Sequence, residues 1–179
     1  MPRIRYQVAV SLDGYIAGPK GEADWIITDP EIDFEGLLAQ FDTFIMGRRT
    51  FAVAGTMGSA ESRQKTFVFS RTLLPEEHPN VTVVTEVSEA TVASIREQAV
   101  KDIWLFGGGT LFRSFLDAGL VDTVEVSVIP VLLGSGVPLL PQPANQTKLS
   151  LSGHRIYKTG IASLEYAVKK PPKKRSSRA

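Results

Sequence analysis

The chain has 179 residues, close to the usual size of one domain; 43% are hydrophobic and 22% charged, with no cysteine, which excludes disulfides, thiol catalysis and thiolate metal sites and fits a cytoplasmic protein. No apolar run is long enough for a membrane span, so no membrane partner is expected. The net charge of +1 hides a split between a basic tail, Lys169 to Ala179, with six of the 20 basic residues, and a body of 14 basic against 19 acidic residues, too acidic for nucleic acid as the main partner.

The organisation expected is one domain over residues 1–168 followed by a basic, disordered, solvated tail over 169–179. His78 and His154 lie far apart, and neither has a second candidate ligand at metal spacing, so no metal is expected. Arg3 to Val10 alternates and then turns apolar, which predicts a first strand. Ser11 to Gly21 follows as a long loop, marked by Asp13-Gly14 and Gly18-Pro19. Tyr15 and Ile16 are large residues inside it; they either pack onto a ligand or staple the loop to the core. Trp25-Ile26-Ile27 precedes Asp29-Pro30, and Glu31 to Gln40 predicts a short helix with Ile32, Leu37 and Leu38 on one side. Thr43 to Met46 is a second, buried strand that runs through Gly47-Arg48-Arg49-Thr50 into a helix start. Thr56 to Ser62 is small, polar and irregular. Thr66 to Phe69 and Val81 to Val84 are the third and fourth strands, the former followed by Ser70-Arg71-Thr72. Ser88 caps a helix running to about Val100, with Val92, Ile95 and Ala99 inward.

Asp102 to Phe112 is the stretch richest in signal. Ile103, Trp104, Leu105 and Phe106 form a continuous apolar run, the pattern of a strand covered on both faces. Gly107, Gly108 and Gly109 follow, with Thr110 as N-cap. Leu111, Phe112, Phe115 and Leu116 share one helical face, and Gly119 falls where a C′ glycine ends a helix. Three residues without Cβ let another molecule approach closely, and the helix N-terminus behind them suits a phosphate. The same residues also fit a tight turn with no ligand. Asp122 to Pro130 alternates as a strand, Val131 to Leu140 is an apolar loop, and Lys148 to Ile156 pairs with Ile161 to Val168 about Lys158-Thr159-Gly160. Strands alternating with helices imply an α/β fold: a mostly parallel mixed sheet flanked by helices, closed by a C-terminal antiparallel hairpin.

In open α/β sheets, ligands bind beyond the carboxyl ends of the strands. Three such ends carry anion-friendly residues: Gly47-Arg48-Arg49-Thr50, Ser70-Arg71-Thr72 and Gly107-Gly108-Gly109-Thr110. Two helix N-termini can each hold one phosphate of a pyrophosphate. Arg48, Arg49 and Arg71 suit a further phosphate, such as the 2′-phosphate that separates NADP from NAD. The Rossmann fingerprint is absent, because Phe112 stands where its third glycine belongs, and a Walker A loop is absent too. A dinucleotide here implies a different fold.

Five stretches together resemble the ordered motifs of the dihydrofolate reductase-like superfamily: Val8 to Ala17, Ile45 to Thr50, Phe69-Ser70-Arg71, Trp104 to Gly109 and Val128 to Gly136. The likeness is closer to the branch that holds the reductase domain of the bifunctional riboflavin-biosynthesis deaminase-reductase, and it covers roughly residues 4 to 168. It implies an NADPH-dependent oxidoreductase of dihydrofolate reductase-like fold, usually a homodimer. By matched motif, Ala9, Ile16, Gly47, Arg48, Arg49, Thr50, Ser70, Arg71, Phe106, Gly107, Gly108, Gly109, Thr110 and Leu111 would contact the cofactor. Gly14 to Ile16 would belong to a mobile loop over the nicotinamide, and the Gly107–Gly108 peptide would be cis. The zinc deaminase partner domain needs cysteines that this chain lacks, so a stand-alone reductase domain is implied.

In dihydrofolate reductases a buried carboxylate of the first helix grips the pterin and helps protonate it. The resemblance leaves Glu31, Asp33 and Glu35 open for that role. Asp33 is the candidate chosen, for catalysis and for substrate binding; it also fits a first-turn acid that favours the helix dipole. Trp25 either lines the substrate pocket or belongs to the core. The expected activity is NADPH-dependent hydride transfer to a small heterocycle of pterin, dihydrofolate-like or ribosylaminopyrimidine type. Two other readings stand beside it: an enzyme using a different nucleotide on the same fold, and a nucleotide-binding module without turnover.

Overall fold

The computed structural model describes residues 1–57 and 64–169. Gly58 to Ser62, part of the stretch expected to be irregular, and the tail from Lys170 lie outside the described residues; Thr56 and Met57 belong to a helix. The described residues form ten strands and four α-helices: β1 (Ile4–Ser11), β2 (Tyr15–Ala17), α1 (Phe34–Leu38), β3 (Phe41–Gly47), α2 (Arg48–Met57), β4 (Lys65–Phe69), β5 (Thr82–Val84), α3 (Glu89–Gln98), β6 (Asp102–Gly107), α4 (Gly109–Asp117), β7 (Thr123–Ile129), β8 (Val137–Pro138), β9 (Leu149–Ile156) and β10 (Ala162–Val168). Eight strands make one sheet in the order β5-β4-β3-β6-β1-β7-β10-β9. Strands β5 through β7 run parallel, and β10 and β9 join antiparallel, forming the expected C-terminal hairpin. Gly160, with φ +89°, turns that hairpin by donating its N–H to Tyr157 O.

Alternation along the central strands divides the sheet into two unlike faces. One carries Ile4 and Tyr6 of β1, Ile45 of β3, Ile103 and Leu105 of β6 and Val124 of β7, all buried in one cluster with Val92 and Ile95 of α3 and Phe112 and Phe115 of α4. Each fully buried aromatic of α4 contributes roughly 1.5–3 kcal/mol by leaving water. Ser88 caps α3 by accepting from Thr91 N, and Gly119, with φ +68°, closes α4 by donating to Leu116 O.

The other face is only partly covered. Trp104 is half-buried and Phe106 exposed, so β6 is not covered on both faces as its apolar run suggested. The expected cover, a helix over Glu31 to Gln40, is reduced to five residues with no buried side chain. Asp33 stops inward extension by capping it, and nothing in α1 packs deeply enough to extend the helix. The loop after β1 also contains a strand: β2 pairs antiparallel with β8, which lies within the expected apolar loop.

Candidate active site

Sheet order brings the three predicted strand ends together. β6, β3 and β4 are neighbours, with Met46 opposite Gly107 and Gly47 opposite Phe69. A Cβ at Gly47 would lie 3.8 Å from Gly107 O, and one at Gly108 3.5 Å from Thr50 Oγ1. The Gly107–Gly108 peptide is cis, as the resemblance implied. Gly108, not Thr110, is the N-cap of α4, and no side chain caps it. Thr110 is instead drawn into the first turn, because α4 begins at Gly109. The first-turn N–H groups of a nine-residue helix are thereby left for an anion.

The three glycines differ in role. Gly107 has φ +112°, a backbone that an L side chain rarely adopts. A Cβ at Gly109 would meet Pro138 O at 2.6 Å, Pro141 Cδ at 2.9 Å and Leu139 O at 3.1 Å. The space beside Gly109 is therefore filled by the chain's own segment 131–143, a strap across the head of α4, and not left for a ligand. Arg113 of α4 holds this strap, donating from Nη1 to the carbonyls of Pro141, Gln142 and Pro143 at 3.2 to 3.4 Å.

The same strap fixes the loop after β1. Asp13 accepts from Ser11 Oγ at 2.6 Å, Gly134 N at 2.7 Å and Leu133 N at 3.1 Å. The Ser11 hydroxyl bond, together with the two strap N–H groups, holds the Asp13 carboxyl below its usual range. Leu12 N donates to Val131 O and Leu139 N to Gly14 O. The segment Gly14 to Ile16, expected to be a mobile loop, is tethered in this structure at both ends.

Arg48, Arg49 and Arg71 are exposed, and their side chains make no hydrogen bond or ion pair with any described residue. Ser70 is half-buried, and its Oγ accepts from Thr72 N and Leu73 N, which rounds the turn after β4. Ile16 and Leu111 are half-buried, the latter packed on the core.

Ala9 lines a cleft of about 670 Å³ on the open face of the sheet, beneath α1 and the segment before it. Its floor is laid in rows by strand register. Gln7, Glu125 and Glu165 lie side by side on β1, β7 and β10, and Ala9, Ser127 and Ser163 form the next row. Ser127 Oγ and Ser163 Oγ are 3.2 Å apart. Trp104 lines the cleft and donates from Nε1 to Gln7 O at 3.0 Å. At the amino end of β1, Arg5 grips Glu125 with Nε and Nη2, both at 2.7 Å, and donates from Nη1 to Gln40 Oε1 at 2.6 Å. Burial works against the Arg5 charge, but the hydrogen bond and charge of Glu125, helped by Asp102, outweigh it and hold the guanidinium above its usual value.

Asp33 lines the cleft and caps α1, its Oδ1 accepting from Gly36 N at 2.8 Å. Glu31 is turned to Arg155 at 2.9 Å and Lys158 at 3.3 Å, and Glu35 is exposed on α1. Trp25 is not among the residues lining the cleft; its Nε1 donates to Glu22 O and braces its own loop. Gln7, Trp104, Glu125 and Glu165 were not singled out from sequence. The signal was present in the polar half of the alternation through Arg5-Tyr6-Gln7-Val8-Ala9 and Val124-Glu125-Val126-Ser127. No helix among the described residues is long and apolar enough to cross a membrane.

Residues 2–163 match the family model of the RibD C-terminal domain. The chain is similar to the uncharacterized protein YyaP of Bacillus subtilis (strain 168), 33% identical over 177 residues that span 92% of this chain and 94% of YyaP. Its fold is shared with a putative riboflavin biosynthesis protein from Shewanella sp. PV-4, with a TM-score of 0.80 at 24% identity over 94% of this chain and 99% of that one. It is shared also with a diaminohydroxyphosphoribosylaminopyrimidine deaminase/5-amino-6-(5-phosphoribosylamino)uracil reductase from Thermotoga maritima, with a TM-score of 0.64 at 19% identity, where this chain is covered to 94% and spans 57% of that protein.

Proposed function

Since the chain belongs to the RibD C-terminal domain family, we propose that it is an NADPH-dependent reductase acting on a small heterocycle of pterin or aminopyrimidine type. The observation that carries this reading is the convergence on three adjacent strand ends of an uncapped helix N-terminus, a diglycine turn and three arginines whose side chains are unpaired among the described residues, on the sheet that also floors the cleft lined by Ala9.

These residues fit a dinucleotide phosphate. The N–H groups at the head of α4 would hold one phosphate of the pyrophosphate, and Arg48, Arg49 and Arg71 would take the 2′-phosphate. When bound, NADPH supplies the hydride. Ala9, which lines the cleft, would lie against the nicotinamide end of the cofactor, and the strap would hold the loop after β1 in place beside it. Asp33 is proposed as the proton source on the ground that it alone of Glu31, Asp33 and Glu35 lines the cleft. A homodimer belongs to the same proposal. It is supported by β9, an edge strand that exposes Leu149, Leu151 and Ile156, and sedimentation of the intact chain tests it.

Titration of ligand-free protein with NADPH should raise its melting temperature and change nicotinamide fluorescence. Arg48→Ala should weaken NADPH binding by about tenfold and narrow the preference over NADH, because a charged contact to phosphate is lost. No response to NADPH in either signal would rule the reading out.

A further inference from the structure

We infer that the cleft takes an unphosphorylated heterocycle bearing amino groups, and that Glu165 of the C-terminal hairpin is the residue that reads them. This rests on the reading of the cleft as the substrate site of a reductase, and it narrows what that substrate is. The Thermotoga maritima protein of the same fold is named for a phosphoribosylated aminouracil. The cleft described here has the wrong charge for such a ligand.

Among the described residues that line it, Asp33, Glu125 and Glu165 are acidic, and the one guanidinium, that of Arg155, is already taken by Glu31 at 2.9 Å. Glu125 is also spent: both of its oxygens accept from Arg5 at 2.7 Å, and Oε1 accepts from Thr123 Oγ1 as well. Glu165 differs. It stands directly opposite Glu125 in the β7–β10 register, yet its carboxylate makes no hydrogen bond or ion pair with any described residue. Two carboxylates facing each other across a strand pair repel, and the Arg5 charge is committed to only one of them. On the far side of Glu125 the Gln7 side chain completes the row, and its Oε1 is buried with no partner among the described residues. The Gln7–Glu125–Glu165 row thus presents unfilled acceptors and, among the described residues, no unfilled cation; the imidazole of His154, which also lines the cleft, stands opposite Leu164 in the register and outside this row. The complement of the row is a ligand that brings N–H donors and no anionic group.

Size and shape agree. From Ala9 to Ser163 is two interstrand steps, about 10 Å, the scale of a fused two-ring heterocycle with its substituents. Trp104 offers an aromatic wall beside Gln7, backed by Phe41 at 5.0 Å and Phe106 at 5.2 Å between ring centres, on which a flat ring can stack. An aminopyrimidine or pterin laid across the two rows would direct its amino edge to Glu165 while its other end reaches Ala9 and the rim.

Calorimetry on the intact chain without cofactor tests this apart from turnover. The probes are 5-amino-6-(5-phosphoribosylamino)uracil, the same compound without its phosphate, and 7,8-dihydropterin. The two unphosphorylated compounds should bind at least about tenfold more tightly than the phosphorylated one. Glu165→Gln should weaken them by about tenfold, since a charge-assisted contact is reduced to a neutral one, and should leave NADPH affinity as it was. Tighter or equal binding of the phosphorylated compound, binding by none of the three, or affinities unmoved in Glu165→Gln would overturn the inference. Failure of the chain to bind NADPH strikes instead at the reductase reading, because the order of the three affinities is measured without it.

Discussion

The rim at the carboxyl ends of β6, β3 and β4 and the floor beneath α1 are built from different materials. The rim is backbone: a diglycine turn, the uncapped head of α4, and a strap pressed against Gly109, with three arginine side chains that have no partner among the described residues. The floor is side chain: a buried Arg5–Glu125 pair, a serine pair, a glutamine, a carboxylate with no partner among the described residues and a tryptophan wall. Backbone groups can serve any phosphate, and so suit a cofactor common to many enzymes. Side chains can be exchanged one at a time, and so are where relatives on one fold diverge in substrate.

The largest effect should come from the floor. Glu125→Ala takes from the Arg5 guanidinium, whose side chain is 7% exposed, the nearer of its two carboxylate partners and leaves it Gln40 and Asp102, so it should cost about 3 kcal/mol in chemical denaturation; a loss under about 1 kcal/mol would mean that the pair is solvated. Gly109→Ala tests the rim. Its Cβ meets carbonyl oxygens of the strap, not a flexible side chain, so the strap must move, at about 1–3 kcal/mol, and NADPH binding should weaken with it. A normal denaturation midpoint would show that the strap yields freely.

Asp102 anchors the amino end of the floor, accepting from Arg3 and Arg5. Burial alone would raise its carboxyl, but the Arg3 hydrogen bonds and the charges of Arg3 and Arg5 outweigh that and hold it below the usual range. Its contribution is therefore full above the unfolded value near ~3.9 and is lost as the pH falls through the lower folded value. Urea midpoints measured downward from about pH 5 should fall less steeply for Asp102→Asn than for the unaltered chain. The smallest effect belongs to Tyr6, under the rim on the apolar face. Its ring stacks on Phe112 at 3.7 Å and its hydroxyl is buried without a partner among the described residues, and burial pushes the phenol above its ordinary value. Tyr6→Phe should be neutral or slightly stabilising; a clear loss of stability would reveal a hydrogen bond there.

The rim was legible because its parts are local. Gly107 to Gly109 and Gly47 to Thr50 each announce a strand end and a helix start within a few residues, as Ser88 and Gly119 announce helix ends. The parallel pattern implied a sheet but not its order, so that these strand ends are neighbours came only from the fold. The floor was legible in pieces. Alternation in β1 and β7 was visible, but it takes register to set Gln7, Glu125 and Glu165 in one row. The run Ile103 to Phe106 looked doubly buried because hydrophobicity does not report that α1 is too short to cover Trp104 and Phe106. β2 and β8 left no local mark, since two or three residues bonded to a distant partner show no periodicity. For the same reason Gly109 looked open to a ligand when it is filled by Pro138 and Leu139.

The Asp13 clasp has a consequence for how the protein is made. Its carboxylate is held by N–H groups 120 and 121 residues further along the chain. During synthesis β1 and the loop after it emerge long before their partners, so this part of the rim has no fixed shape until residue 134 has left the ribosome. It should be among the last regions to acquire protection from hydrogen exchange on refolding, with Leu133, Gly134 and Leu139 slowing together.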